Sequence, residues 1–162
     1  MTHTPTETTD AGWLELAVRL ARENVAAGGG PFGALIVRDG QLVSTGTNRV
    51  TRDLDPTAHA EVVAIRDACR KLGTFQLTGC ELFTSCEPCP LCLSAALWAR
   101  VDRVLYAADR YDAAKAGFDD LVFYDLFETP HEDWHMPVQV VATETRVAPF
   151  EAWLAKGDRV AY

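Results

Sequence analysis

No apolar run in this sequence approaches the ~20 residues that a helix needs to cross a bilayer, which excludes a membrane-spanning helix. The opening MTHTPTETTD has no basic start, no apolar stretch and no small-residue cleavage site. That excludes a secretory signal, and makes the cytoplasm the expected compartment. Clustered cations are missing too. Lysine plus arginine number 15 against 23 acidic residues, for a net charge of −8, and the basic residues stand singly apart from Arg70-Lys71. Nucleic-acid polymers are held by clusters that displace counterions, so a small neutral ligand fits this chain better. No internal repeat, low-complexity segment or linker is present. Residues 1–9 are expected to be a disordered leader and 10–162 one domain, with 156–162 as a tail. The five cysteines are an odd number. Reduced in the cytosol, they point to metal or catalytic use.

The pattern of apolar residues predicts a mixed sheet with helices on both faces. Thr9 or Asp10 caps a first helix with Trp13, Leu16, Leu20 and Asn24 or Val25 on one face. Gly28-Gly29-Gly30-Pro31 stops it. Strands follow over 32–38 and 41–47, turned by Asp39-Gly40. A polar loop leads to a helix over 58–72, then a buried strand over 81–85. Pro90 opens a helix to Arg100. Further strands are expected over 101–107 and 138–142, with short helical pieces between them and a last helix over 149–155.

The chemistry concentrates in His59-Ala60-Glu61 and Pro88-Cys89-Pro90-Leu91-Cys92. Zinc is held by imidazole nitrogen and thiolate sulfur, and a catalytic site keeps three protein ligands and one open position. Cys89 and Cys92, three apart in the first turn of a helix, point the same way, and His59 is the third ligand. Both sets sit at helix N-termini, where the dipole favours thiolates. Glu61, two residues beyond His59, converges with it only on a target beyond the helix end. The Asp55-Pro56-Thr57 loop allows that, placing Glu61 beside the open zinc position as a general acid and base.

Other readings of these motifs remain. Cys86 offers a fourth ligand for a closed Cys₃His structural zinc, although Pro88 and the helix after it carry Cys89 and Cys92 away. The Cys86, Cys89, Cys92 spacing echoes an iron–sulfur pattern but lacks the fourth Cys followed by Pro. Cys69 and Cys80 read as small buried apolar residues. His131-Glu132-Asp133-Trp134-His135 spells a helical zinc motif, yet Pro130 and Pro137 bracket it into a loop. The Gly28–Gly33 stretch follows a helix and opens a strand, so it is no dinucleotide loop.

With GGPFGA, DPTAHAE, TSCEPCPLC, AGFDD, PFEAW and a terminal tyrosine, the chain resembles the cytidine-deaminase-like superfamily, and within it the guanine-deaminase branch. The zinc motif is superfamily-wide, whereas AGFDD and the aromatic C-terminus are narrower. The resemblance implies a three-layer α/β/α sandwich around a five-stranded mixed sheet. It implies one Zn²⁺ per chain on His59, Cys89 and Cys92, with Glu61 catalytic. It implies that Asn48 and Asp120 hydrogen-bond a purine base, with Phe32, Ala60 and Trp98 against it. Tyr162 would close the pocket from a swapped tail in a homodimer. Taken by their residue types alone, Asn48 can cap a loop, Phe32 and Trp98 can be core, Asp120 can cap a helix and Tyr162 can fray. The implied reaction is guanine to xanthine and ammonia. Its rivals are deamination of guanosine, cytosine, cytidine, a tRNA adenosine or an aminotriazine, and a non-catalytic zinc-stabilised binding module.

Overall fold

The computed structural model describes residues 9–162, so the expected leader lies outside the described residues except for Thr9. Thr9 caps α1 (Asp10–Ala26), its Oγ1 accepting from Gly12 N at 3.1 Å. That satisfies one of the amides a helix start leaves unpaired. The buried face of α1 carries Trp13, Leu16, Ala17, Ala21 and Asn24. Strands β1 (Gly33–Arg38) and β2 (Gln41–Thr47) form the expected hairpin. Asp39 and Gly40 both take positive φ, 51° and 68°, as a two-residue turn matched to strand twist requires.

After the short α2 (Val50–Asp53) come α3 (Ala60–Leu72), β3 (Cys80–Cys86), α4 (Pro90–Ala99) and β4 (Arg103–Ala108). The strand order is β2-β1-β3-β4, with β1 antiparallel to both neighbours and β3 parallel to β4. Alternation along β1 builds the layers. Ala34 and Ile36 pack with Ala60 and Ala64 of α3 and Ala96 of α4. Leu35 and Val37 pack with Trp13, Leu16 and Ala17 of α1. The helices therefore cover both faces.

One close approach sets the height of α3 above the sheet. A Cβ on Gly46 would lie 2.1 Å from Ala60 O and 2.6 Å from Ala64 N, so only glycine lets this helix start so near the strand. The register brings several chain segments to one edge of the sheet. Gly33 pairs with Thr47, Ala34 with Thr84 and Cys86 with Ala108. The chain thus enters that edge at Phe32 and leaves it at Asn48, Glu87 and Asp109. Ligands of open α/β sheets bind beyond such carboxyl ends.

The sheet has four strands among the described residues, not the five expected, because 138–142 forms no strand. The valines there have strand character, but strand preference reports packing on a half-buried surface. Val140 and Val141 are 95% and 78% exposed, so nothing rewards pairing.

By internal contacts the chain divides into two compact units, one through Tyr124 and one over Asp125–Tyr162. The layered sheet belongs to the first, with α5 (Arg110–Lys115) after β4 and α6 (Leu121–Phe127) running across the division. The second holds a 3₁₀ turn, His131–Asp133, and α7 (Ala148–Ala155). There Trp134 packs edge-on against Phe127 and His131, and its Nε1 donates to Thr129 O at 3.2 Å. The His131–His135 segment is therefore no α-helix, as the flanking prolines predict. Among the described residues no helix is long and apolar enough to cross a membrane.

Gly46→Ala should cost about 1–3 kcal/mol, as overpacking does, read as a lower Tm. An unchanged Tm would show that α3 can back away from β2 freely.

Candidate metal centre and active-site cavity

Two helix starts meet at the sheet edge. His59 is the N-cap of α3, extended at φ −68° and ψ 154°, and Cys89 is the N-cap of α4, extended at φ −65° and ψ 168°. The Asp55-Pro56-Thr57 loop shapes the first of these. Asp55 Oδ1 accepts from Thr57 N at 2.8 Å and Thr57 Oγ1 at 2.7 Å, and Ala58 O accepts from Arg49 N. Pro90 begins α4, where its missing N–H costs nothing. Cys92 sits one turn in, facing Cys89.

These positions bring three donors together. His59 Nδ1 lies 3.5 Å from Cys89 Sγ and 3.4 Å from Cys92 Sγ, and the sulfurs are 3.7 Å apart. Tetrahedral zinc, with bonds of about 2.3 Å to sulfur and 2.0–2.1 Å to nitrogen, sets edges of about 3.8 Å between sulfurs and about 3.6 Å from sulfur to nitrogen. The donor set fits that ion. It is the only such group among the described residues, and it excludes Cys86. The Cys86 thiol instead points to Asp109 O at 3.6 Å, and burial pushes its pKa up to about 11. The closed four-ligand reading is not what this geometry builds.

Electrostatics in the trio favour an anion. A hydrogen bond from Cys92 holds the Cys89 thiol well below its ordinary range. The same bond, with burial, raises Cys92, and metal binding requires both as thiolates. The bond to Cys89 raises His59.

Glu61 is buried beside the trio. Its Oε2 lies 3.4 Å from Cys92 Sγ, and its Oε1 accepts from Thr84 Oγ1 at 3.2 Å. Burial raises its pKa above the ordinary carboxylate range. His59, Glu61 and Cys89 stand in the wall of a cavity of about 310 Å³. Phe32, Asn48 and Asp120 also line it, together with Glu87, Phe118 and Phe123. Phe32 meets Phe118 edge-on, ring centroids 4.8 Å apart. Asn48 Oδ1 accepts from Val50 N at 3.3 Å, so the loop-capping role holds alongside its place in the wall. Asp120 Oδ1 is buried with no hydrogen-bond partner among the described residues, and burial raises its carboxyl. A second, apolar cavity of about 310 Å³ shares Phe32 and Phe118 and continues past Cys86 and Ala113.

The remaining expected residues lie elsewhere. Ala60 is fully buried as the first residue of α3. Trp98, on α4, is 62% exposed and outside this wall. Tyr162 is exposed in the second unit. Sequence reading missed Thr84, Glu87, Phe118 and Phe123. Glu87 stands inside TSCEPCPLC, and Phe118 and Phe123 flank Asp120, so proximity to the motifs was their signal. Thr84 had none. Asn24 was missed as well. Its Nδ2 donates to Gly30 O at 2.8 Å and Asn48 O at 2.9 Å, tying together two loops of the cavity wall.

A zinc-ready His–Cys–Cys trio with a buried glutamate, at the carboxyl edge of a mixed sheet, defines a hydrolytic class. Consistently, the model of the cytidine and deoxycytidylate deaminase zinc-binding region matches residues 7–108, and the chain belongs to that family. Guanine deaminase of Bacillus subtilis (strain 168) is 54% identical over 142 residues, 87% of this chain and 91% of that protein. The X-ray structure of guanine deaminase from Bacillus subtilis superimposes with a TM-score of 0.91 at 48% identity, covering 100% of this chain and 99% of that one. The tRNA-specific adenosine deaminase of Aquifex aeolicus (strain VF5) is 43% identical over 96 residues, 59% of this chain and 64% of that protein.

Cys86→Ser should leave zinc at about one per chain, whereas Cys89→Ser/Cys92→Ser should abolish it. Metal analysis of the purified variants checks both, and zinc lost with Cys86 alone would restore the closed site.

Proposed function

We propose that this protein is a zinc-dependent aminohydrolase that converts guanine and water to xanthine and ammonia. One observation carries the reading: Glu61 is buried against the metal-ready trio yet outside its donor set, and it faces the cavity. A structural zinc has no use for such a carboxylate. Bound zinc, held by His59, Cys89 and Cys92, supplies the Lewis acidity that makes water a nucleophile near neutral pH.

Glu61, braced by Thr84, takes a proton from the attacking water. It passes that proton to the ring nitrogen beside the amine-bearing carbon, which is C2 in guanine, and then assists the departure of ammonia. The cavity is at the small end of ligand pockets, the size for a base. Phe32 packs on the ring, Asn48 offers donor and acceptor together, and Asp120 accepts from a ring N–H. The orphaned Oδ1 of Asp120 supports that pairing, since a buried polar atom costs free energy until a partner arrives.

Contacts from Ala60, Trp98 and Tyr162 complete the proposed substrate set on the family resemblance. We place the enzyme in the cytoplasm as a homodimer whose tails, residues 156–162, are exchanged. Exposed Leu97 and Trp98 in the first unit and Phe150 and Leu154 in the second support a partner, since such apolar surface marks interfaces. The tRNA reading is weaker: its relative matches less of the chain, and a net charge of −8 gives a polyanion little to hold.

Glu61→Gln should keep zinc and fold while losing about 10²–10⁴-fold in turnover. Ammonia release from guanine, guanosine, cytosine, cytidine and adenine by the parent chain tests the substrate, and silence on guanine ends the reading. Deleting Val160–Tyr162 should reduce kcat/KM for guanine with zinc and Tm nearly unchanged. If the tails are swapped, mixing that truncation with Glu61→Gln should restore activity, because one mixed site then has both groups. A fully active truncation would rule out the lid.

A further inference from the structure

Glu87 and Pro88 immediately precede the ligand Cys89, and one cluster grips both. The Glu87 carboxylate takes three hydrogen bonds from a single residue. Arg110 N and Nε donate to Oε2 at 3.0 and 3.1 Å, and Nη2 donates to Oε1 at 2.5 Å. The guanidinium carbon lies 3.5 Å from the centroid of the Tyr124 ring. The Tyr124 O–H in turn donates to Pro88 O. The chain of contacts therefore closes on itself: Glu87, Arg110, Tyr124, Pro88. Glu87 N also donates to Ala108 O at 2.8 Å, joining the turn to the end of β4.

The cluster faces two ways. Glu87 lines the cavity, and so do Asp120 and Phe123, which share the Tyr124 segment. The side chains of Glu87 and Arg110 are only 14% and 27% exposed, so the pair is shielded from the solvent that weakens surface ion pairs. A planar guanidinium can hold a carboxylate with two donors and stack on a ring at once, which an ammonium cannot.

We propose that Arg110 is a positioning residue: by gripping Glu87 and stacking on Tyr124, it sets the Cys89 turn against the segment that carries Asp120. Its substrate half rests on the guanine reading above, and its metal half on the donor set alone. Zinc affinity and base affinity then share one support. Partners one step removed from a metal ligand typically contribute about 10–100-fold to metal affinity or activity.

The test compares zinc-loaded parent, Arg110→Ala, Arg110→Lys and Tyr124→Phe. Arg103→Ala serves as control, because Arg103 pairs with Glu81 and Asp10 at the opposite edge of the sheet. Each protein is titrated with a chelator below its Tm, the retained zinc is measured, and KM and kcat are determined for guanine. Arg110→Ala should release half its zinc at about 10-fold less chelator, with KM raised several-fold. Arg110→Lys should recover little of either loss. Tyr124→Phe, which keeps the ring, should move both readings the same way by less, and the double variant should fall short of the two effects combined. Arg103→Ala should match the parent.

Zinc retention and KM within about twofold of the parent in Arg110→Ala, whatever its Tm, would overturn the proposal. Should that variant fail to fold, unchanged readings in Arg110→Lys and Tyr124→Phe would overturn it equally. Failure of the guanine reading would show in the parent itself, while the chelator titration would still decide the metal half.

Discussion

The structure depends on the meeting of two helix starts. α3 and α4 each point a positive end at the same place, and each begins on a residue that can bind metal, His59 or Cys89. Thiolates brought together from water would repel one another. Two helix N-termini offset that cost, and a cation removes most of what remains. Much of the fold serves this meeting. Gly46 lets the first turn of α3 lie on the strand, and the crossover between parallel β3 and β4 delivers α4 beside it. The Asp55–Thr57 turn then sets the entry of His59.

A second layer of the design is what it leaves unpaired. Most buried polar groups here have protein partners: Ser44 donates to Ala64 O, Asn24 bridges two loops, and Thr84 holds Glu61. Asp120 Oδ1 departs from that pattern, and it does so in the wall of the cavity. A buried polar atom left without a partner costs free energy that a donor arriving in the cavity would recover. Glu61 lies on the other side of the same problem. It is kept buried against the donor trio, with Thr84 as its hydrogen-bond donor and the cavity on its open side.

How legible all this was in the sequence depended on the range of the interaction. The hairpin was readable because two adjacent residues, Asp39 and Gly40, carry the whole turn. The metal trio was readable because its spacing reflects one helical turn and two caps. The convergence of His59 and Glu61 followed from placing both at a helix start, which the structure does within two residues of the expected boundary. What stayed hidden involves partners far apart in the chain. Thr84 meets Glu61 across 23 positions and Tyr124 meets Pro88 across 36, and no local pattern announces either. The segment 138–142 failed in the opposite sense: its local pattern reads as a strand, but pairing is a property of neighbours. Asn24 was one of two choices for the end of the α1 stripe, and only the structure shows that its amide, more than its position, decides.

The edge-on pair of Phe32 and Phe118 has a consequence for redesign. Both rings line the cavity beside the donor trio and the apolar cavity as well. Trimming one to a smaller side chain would remove a ring that both cavities share, while leaving His59, Glu61, Cys89 and Cys92 in place. The neighbouring cavity is lined mainly by small apolar residues, Val18, Ala21, Ala107 and Ala113 among them, with Arg22 and Asp112 also in its wall. A single aromatic contact therefore shapes two cavities at once, so a change made for one is felt in the other.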